Sequence, residues 1–147
     1  MKIVVHKFFI FVTLFFISCG GEGGDDIIIN PPAPPVETVD PPSQASLSRP
    51  TNNEVCEEGT SVSETQSSVN FQWTAGSNTD NYDLRITNLN SNQVINQSNI
   101  TTTNKLVTLT KGIPYSWKVT SKRNGTSQTS DSSTWKFYLS SEGISSY

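Results

Sequence analysis

Carboxylates are the residues of this chain that could carry acid–base chemistry, because its one histidine, His6, lies in an N-terminal segment that we expect to be removed. Loss of that imidazole excludes Ser-His-Asp and Cys-His catalysis and leaves a pair of carboxylates as the remaining arrangement. The candidates are Glu57, Glu58, Glu64, Asp80, Asp83 and Asp131. They fall in polar loops or on outward strand positions, where solvated acids are poor general acids at neutral pH. The sequence therefore predicts a protein that is not an enzyme.

Metal and nucleic-acid binding are also disfavoured by the composition. Too few cysteine and histidine residues are present for a thiolate or imidazole metal site. Calcium could bind among Asp80, Asp83 and loop carbonyls, but the spacing of a calcium-binding loop is absent. The net charge is −3, and no basic stripe is found along the chain. We therefore expect no metal, no cofactor and no nucleic-acid partner.

The two cysteines, Cys19 and Cys56, are too few for a disulfide framework. Reactive thiols lie among cations, whereas the neighbours of Cys56 in the sequence are acidic. We expect Cys56 to be a small buried hydrophobic residue under the fold. The alternative is an intermolecular disulfide in an oxidising compartment, because an unpaired cysteine can pair with a cysteine of another chain.

Residues 1–18 have the organisation of a secretory signal, with a positive start and an apolar run of about ten residues that is too short to span a bilayer. The end, Ser18-Cys19-Gly20, resembles the lipobox of bacterial lipoproteins, although Phe16 stands where that motif prefers leucine. This resemblance implies cleavage before Cys19 and acylation of its thiol with fatty acids such as palmitate. Acyl chains would then anchor the protein in the membrane. The alternative is an ordinary signal peptide with a chance cysteine at its end.

Acidic residues follow the proposed anchor closely. Glu22, Asp25 and Asp26 lie in a glycine-rich run that resembles the surface-export signal of Bacteroidetes lipoproteins. That resemblance implies an outer-membrane lipoprotein displayed on the cell surface; the alternatives are the periplasmic face and a plain solvated spacer. Residues 19–43 as a whole are acidic and rich in proline, which predicts a flexible linker with polyproline II character.

Residues 44–147 show short alternating segments between turn signals, the pattern of a β-sandwich of about seven strands. Between Leu109 and Tyr115, Gly112 and Pro114 turn the chain from one strand into the next. Tyr115 and Trp117 then alternate with polar residues, as in a half-buried strand. A tyrosine at this place, with its hydroxyl bonded to upstream backbone, is the tyrosine corner of β-sandwiches.

Several of these features together resemble a bacterial fibronectin type III-like domain over residues 44–140. They are Trp73, Tyr82, the spacing from Leu109 to Tyr115, and the final run Ser133-Thr134-Trp135-Lys136-Phe137. The resemblance implies an all-β, seven-stranded immunoglobulin-like or fibronectin type III-like β-sandwich. The predicted core residues are Phe71, Trp73, Tyr82, Leu109, Tyr115, Trp117, Trp135 and Phe137. The loop over residues 57–66 is longer than the family usually carries.

Strand parity predicts that the three tryptophans face inward. The candidates that remain for an exposed aromatic platform are Tyr138 and Tyr147, with Tyr82 as a weaker third. The run from Lys122 to Gly125 occupies a hairpin loop that fibronectin modules often use for partner contact; the alternative is a plain turn with two solvated cations. We expect a binding or scaffolding module with a protein or glycan ligand at the cell surface. The alternatives are a glycan-binding module of a polysaccharide uptake system and a structural spacer.

Overall fold

A computed structural model describes residues 38–141 of the 147-residue chain, all of them within one compact unit. The order of strands is β1 (Ser46–Arg49), β2 (Glu54–Glu57), β3 (Thr60–Ser61), β4 (Gln66–Thr74), β5 (Asn81–Asn88), β6 (Val94–Ile100), β7 (Asn104–Thr110), β8 (Ile113–Lys122), β9 (Thr129–Asp131) and β10 (Trp135–Leu139). The prediction of an all-β fold is confirmed.

The strands form two sheets that enclose one core. The first sheet contains β1, β3, β4 and β7, and the second runs β2-β10-β8-β5-β6 with β9 beside β8. The longer strands thus divide into β1, β4 and β7 in one sheet and β5, β6, β8 and β10 in the other. This is the partition of an immunoglobulin-like sandwich. The predicted β-sandwich is confirmed.

The core is built from alternating side chains of both sheets. Along β4, every second residue from Ser67 to Trp73 is buried, as the period of a strand with one inward face requires. Phe71 meets Trp117 edge-on with ring centroids 5.1 Å apart, and it meets Phe137 at 5.8 Å. Each such pair contributes about 0.5–1.5 kcal/mol beyond area burial, which ties the two sheets together.

The predicted corner bond is present between β7 and β8. The hydroxyl of Tyr115 donates to the backbone carbonyl of Thr110 at 3.1 Å. The turn itself needs Gly112, whose φ of 71° lies in the left-handed region that suits glycine. The amide of Gly112 donates to the carbonyl of Leu139 at 2.7 Å, which holds the turn against the end of β10.

Residues 38–141 contain three strands beyond the seven predicted: β2, β3 and the short β9. Residues 54–57 do not continue β1; they form β2, which pairs in parallel with β10 in the other sheet. The long loop over residues 57–66 contains β3, which pairs with β4.

The predicted last strand, 133–139, begins only at Trp135, because residues 132–134 form a β-bulge between β9 and β10. The backbone amide and the hydroxyl of Ser132 both bond to the backbone of Val119, at 2.8 and 2.9 Å, so the serine side chain takes a place in the ladder. At Asn124-Gly125 the sequence predicts a tight hairpin or its bulged variant, and the observed connection between β8 and β9 is longer. Residues 123–128 form a wider loop between β8 and β9, with Gly125 at a φ of 83°.

Candidate functional site

The predicted lipid and export residues lie outside the residues that the structure describes. These are Cys19 for lipidation and Glu22, Asp25 and Asp26 for surface export, and they stay predictions, as does the platform residue Tyr147. Within residues 38–141, no helix is long and apolar enough to cross a bilayer.

The candidate carboxylates are mostly engaged in holding loops and strands. Asp80 accepts a hydrogen bond from the amide of Asn124, and Asp83 accepts one from the amide of Asn99. Hydrogen bonds from Lys118 and Thr120 hold the pKa of Asp131 below its ordinary value. Within residues 38–141, no group of three or more His, Cys, Asp or Glu side chains is placed to hold a metal ion.

Glu57 is the candidate acid whose environment differs. Burial raises the pKa of its carboxyl group above the ordinary value, although a hydrogen bond from the amide of Gly59 at 3.1 Å opposes that shift. The carboxylate thus fixes the turn that leads from β2 into β3. Its bonding indicates a structural role at this turn.

The expectation that Cys56 is buried is wrong, because the thiol lies exposed on β2. Residues 54–57 oppose Phe137 to Leu139, so that three steps of β2 face two steps of β10. A bulge of this kind turns both middle residues, Val55 and Cys56, toward solvent. The alternative of an intermolecular disulfide stays a prediction.

The predicted core aromatics occupy different depths. Phe71, Trp73, Tyr82, Leu109, Tyr115, Trp117 and Phe137 are buried. Trp135 is only partly buried: it packs edge-on against Trp117, with centroids 6.2 Å apart, at the first residue of β10 where β2 does not reach. Tyr82 lies inside, with its ring 5.4 Å from that of Trp73, and so contributes nothing to an exposed platform. Tyr138 is 39% exposed.

An apolar groove surrounds Tyr138 on the outer face of the second sheet. It has a volume of about 240 Å³ and is lined by Val55, Leu89, Pro114 and Tyr138, together with the charged residues Glu54 and Lys136. Tyr138 lies directly opposite Pro114 in the β8–β10 pairing, which sets the ring beside the proline. Val55 is 74% exposed and Leu89 is 38% exposed. Three large exposed apolar side chains in one groove form a patch of the kind that marks interaction sites.

The two charged residues of this groove differ in how free they are to pair with a ligand. Glu54 accepts hydrogen bonds from the amide and the hydroxyl of Thr51, at 2.9 and 2.7 Å. Those bonds lower the pKa of Glu54, so that at neutral pH it is an anion that already accepts hydrogen bonds from Thr51. Lys136 has no carboxylate within salt-bridge distance among residues 38–141. The groove therefore offers apolar surface beside a cation that a ligand can neutralise.

A polar cleft lies at the opposite end of the same sheet, beside the loop over residues 123–128. Its volume is about 320 Å³, and its lining is polar throughout, with amides from Asn81, Asn99, Asn124 and Gln128 and with cations from Lys122 and Arg123. A bulge in β6 places Asn99 there: residues 97 to 100 face only Leu84 to Tyr82 of β5, and Asn99 adopts a φ of 57°. The predicted contact loop from Lys122 to Gly125 thus forms one wall of this cleft.

The chain enters the sandwich at the cleft end. The guanidinium of Arg123 donates to the carbonyl of Asp40 at 2.8 Å, and the amide of Ser43 donates to the carbonyl of Ser77 at 2.9 Å. The groove lies where β8 begins and the cleft where it ends. The ten residues of β8, at about 3.3 Å each, separate the two sites by about 30 Å. The apolar groove is therefore the site remote from residues 38–43, which precede β1.

Val55, Leu89 and Pro114 are groove residues that sequence reasoning missed. Val55 stands with Cys56 between two glutamates, and Leu89 is flanked by asparagines, so each is an apolar residue in a polar stretch. Their isolation is the sequence signal that could have identified them, because an apolar residue outside a periodic pattern is not predicted to be buried. Their meeting in one groove depends on the unexpected pairing of β2 with β10.

Comparison with known proteins gives a likeness among solved structures. No family model and no curated protein matches the sequence. The structure is similar to the crystal structure of a Fn3-like protein from Clostridium thermocellum, with 20% sequence identity and a TM-score of 0.43. The match covers 68% of this chain and 92% of that chain.

Proposed function

We propose that this protein is a lipid-anchored cell-envelope protein that displays a non-catalytic β-sandwich on the outer-membrane surface and docks a protein partner in the apolar groove. The observation that carries the docking role is the cluster of exposed apolar side chains from Val55, Leu89 and Tyr138, set beside Lys136. The anchor and the surface address rest on the sequence around Cys19 and on its acidic neighbours.

The chemistry of the groove favours a protein over a small molecule. Its volume of about 240 Å³ lies below the range of about 300–1,000 Å³ that is usual for small-molecule pockets. An aromatic residue in an apolar depression is the common anchor of a protein interface. The partner that fits is a protein segment that inserts one apolar side chain beside Tyr138 and sets a carboxylate against Lys136.

The export proposal has its own test. Replacing Glu22, Asp25 and Asp26 together with alanine should strand a still lipidated protein in the periplasm, and unchanged surface labelling would refute the routing role.

Photo-crosslinking on intact cells tests the docking role. A benzoylphenylalanine at position 138 keeps an aromatic ring in the groove, and the same group at Leu106, which is 62% exposed on the other sheet, is the matched control. We expect a discrete adduct with another envelope protein from position 138 and none from position 106. Val55→Asp should remove the adduct.

Three results would contradict the docking role. They are equal adducts from both positions, no adduct from position 138, and an adduct made of two copies of this chain. The first would indicate indiscriminate contact, the second a structural spacer, and the third self-association. A glycan-binding role is the second candidate function, and the polar cleft with its amide side chains favours it.

A further inference from the structure

We propose that the polar cleft binds an acidic saccharide, that is, a sugar chain carrying carboxylate groups. The proposal goes beyond the docking of a protein partner and is independent of it, because the cleft and the groove lie at opposite ends of β8. Either site can therefore be altered without touching the other.

The neutral part of the lining matches sugar hydroxyls. Asn124 and Gln128 present carboxamides and Thr126 presents a hydroxyl, whereas the side-chain oxygen of Asn99 accepts a hydrogen bond from Lys122 at 3.2 Å and that of Asn81 is buried. Carboxamides both donate and accept hydrogen bonds, and so does each hydroxyl of a sugar ring. The volume of about 320 Å³ lies at the lower end of the range for small-ligand pockets, about 300–1,000 Å³. A ligand of one or a few polyhydroxylated rings is the class that this lining can satisfy.

The charged part of the lining adds a preference for an anion. Lys122 is already paired with Asp83, with 2.8 Å between the ammonium nitrogen and the carboxylate oxygen. Arg123 has no carboxylate partner among residues 38–141; its guanidinium donates one hydrogen bond, to the backbone carbonyl of Asp40. A guanidinium has five N–H donors, and its planar fork matches a carboxylate.

Acids near the cleft are bound to the scaffold and are not part of its lining. Asp80 accepts the hydrogen bond from the amide of Asn124 at 2.7 Å, and Asp83 accepts bonds from the amide of Asn99 and from Lys122. Neither carboxylate lines the cleft. The uncompensated charge that reaches the lining is therefore the positive charge of Arg123.

The cleft is held in shape before any ligand arrives. The start of the loop over residues 123–128 is fixed by two bonds, from the amide of Asn124 to Asp80 and from Arg123 to the carbonyl of Asp40. Within the loop, the hydroxyl of Thr126 accepts a hydrogen bond from the amide of Gln128 at 3.1 Å. A preformed loop does not lose its conformational freedom on binding, which favours recognition by polar contacts alone.

The test titrates the full-length lipidated protein, in non-ionic detergent, with trigalacturonate and with its fully methyl-esterified form. The two trisaccharides share ring shape and hydroxyls and differ in the carboxylate charge. We expect the acid to bind about tenfold or more tightly than the ester, as one charge-assisted contact implies. Raising sodium chloride from about 0.05 M to about 0.5 M should reduce that preference, since salt screens exposed charges.

Matched variants assign the preference to the cleft. Arg123→Gln should abolish the difference between acid and ester. Gln128→Glu, which places a carboxylate on the lining, should weaken binding of the acid more than that of the ester. Arg85→Gln removes an exposed arginine from the outer face of β5, away from the cleft, and should change nothing.

Several outcomes would overturn the proposal. They are equal affinity for acid and ester, no binding of either sugar at millimolar concentration, or equal effects of Arg123→Gln and Arg85→Gln. Loss of the crosslink at position 138 with the acid preference intact would remove the docking role and leave the saccharide site standing.

Discussion

Replacing Tyr115 with phenylalanine removes one hydroxyl and isolates the contribution of the corner bond. The hydroxyl donates to the carbonyl of Thr110 at 3.1 Å in a partly buried setting. The ring, which stacks on Phe137 with centroids 5.6 Å apart, is retained by the change. A hydrogen bond of this kind contributes about 0.5–1.5 kcal/mol to the free energy of unfolding. At about 4–8 °C per kcal/mol for a domain of this size, Tm should fall by about 2–12 °C.

The assay is thermal unfolding of the full-length chain, followed by the near-ultraviolet signal of the core tryptophans. Tyr138→Phe is the matched control, because it deletes the hydroxyl of an exposed tyrosine on the outer face, and its Tm should equal that of the wild type. A Tyr115→Phe protein that also melts with the wild type would refute the reasoning. The corner bond would then be energetically idle, and the turn would be held by Gly112 and the core alone.

Three further predictions concern the core, one surface ion pair and the anchor. Trp117→Ala should lower the free energy of unfolding by about 3–5 kcal/mol, because the side chain is 1% exposed; Trp135→Ala should cost clearly less, and equal losses in denaturant titrations would contradict the difference in depth. Asp131→Asn should lower Tm at pH 7, and the loss should shrink as pH falls below the unfolded-state pKa of about 3.9. The folded pKa lies below the unfolded value of about 3.9, so the stabilisation is present above that value and lost as pH falls through the folded pKa. Cys19→Ser should abolish incorporation of labelled palmitate, and label that persists in the variant would remove the proposed anchor.

The fold could be predicted from the sequence because strand alternation and turn chemistry are local. Val69, Phe71 and Trp73 occupy every second position, and only one face of a strand can be buried in a sandwich. Leu109 to Tyr115 likewise carries its turn residues and its corner tyrosine within one short stretch. Such patterns specify the core before any pairing is known.

The two binding sites could not be predicted because they depend on pairing and on bulges. The groove exists because β2 joins β10 instead of extending β1, and a bulge then exposes both Val55 and Cys56. The cleft exists because a bulge in β6 carries Asn99 toward the loop after β8. Neither bulge contains a glycine or proline from which it could be predicted. Asn99 lies in a chain rich in asparagine, so its position in the sequence does not distinguish it.

The depth of Trp135 shows the same limit on one side chain. Its parity with Phe137 and Leu139 is as predicted, since all three lie on one face of β10. Burial also requires a neighbour, and β2 covers only the later part of β10. Parity therefore gives the face of a residue, whereas its depth depends on where the adjacent strand ends.

Labelling of Cys56 on intact cells tests most directly the central claim, that the sandwich is displayed on the cell exterior. The thiol is exposed beside Val55 on β2 and is the free cysteine of residues 38–141. A membrane-impermeant maleimide should label the protein on intact cells as fully as after lysis, with no label on a Cys56→Ser variant. Labelling that appears only after the outer membrane is opened would contradict surface display.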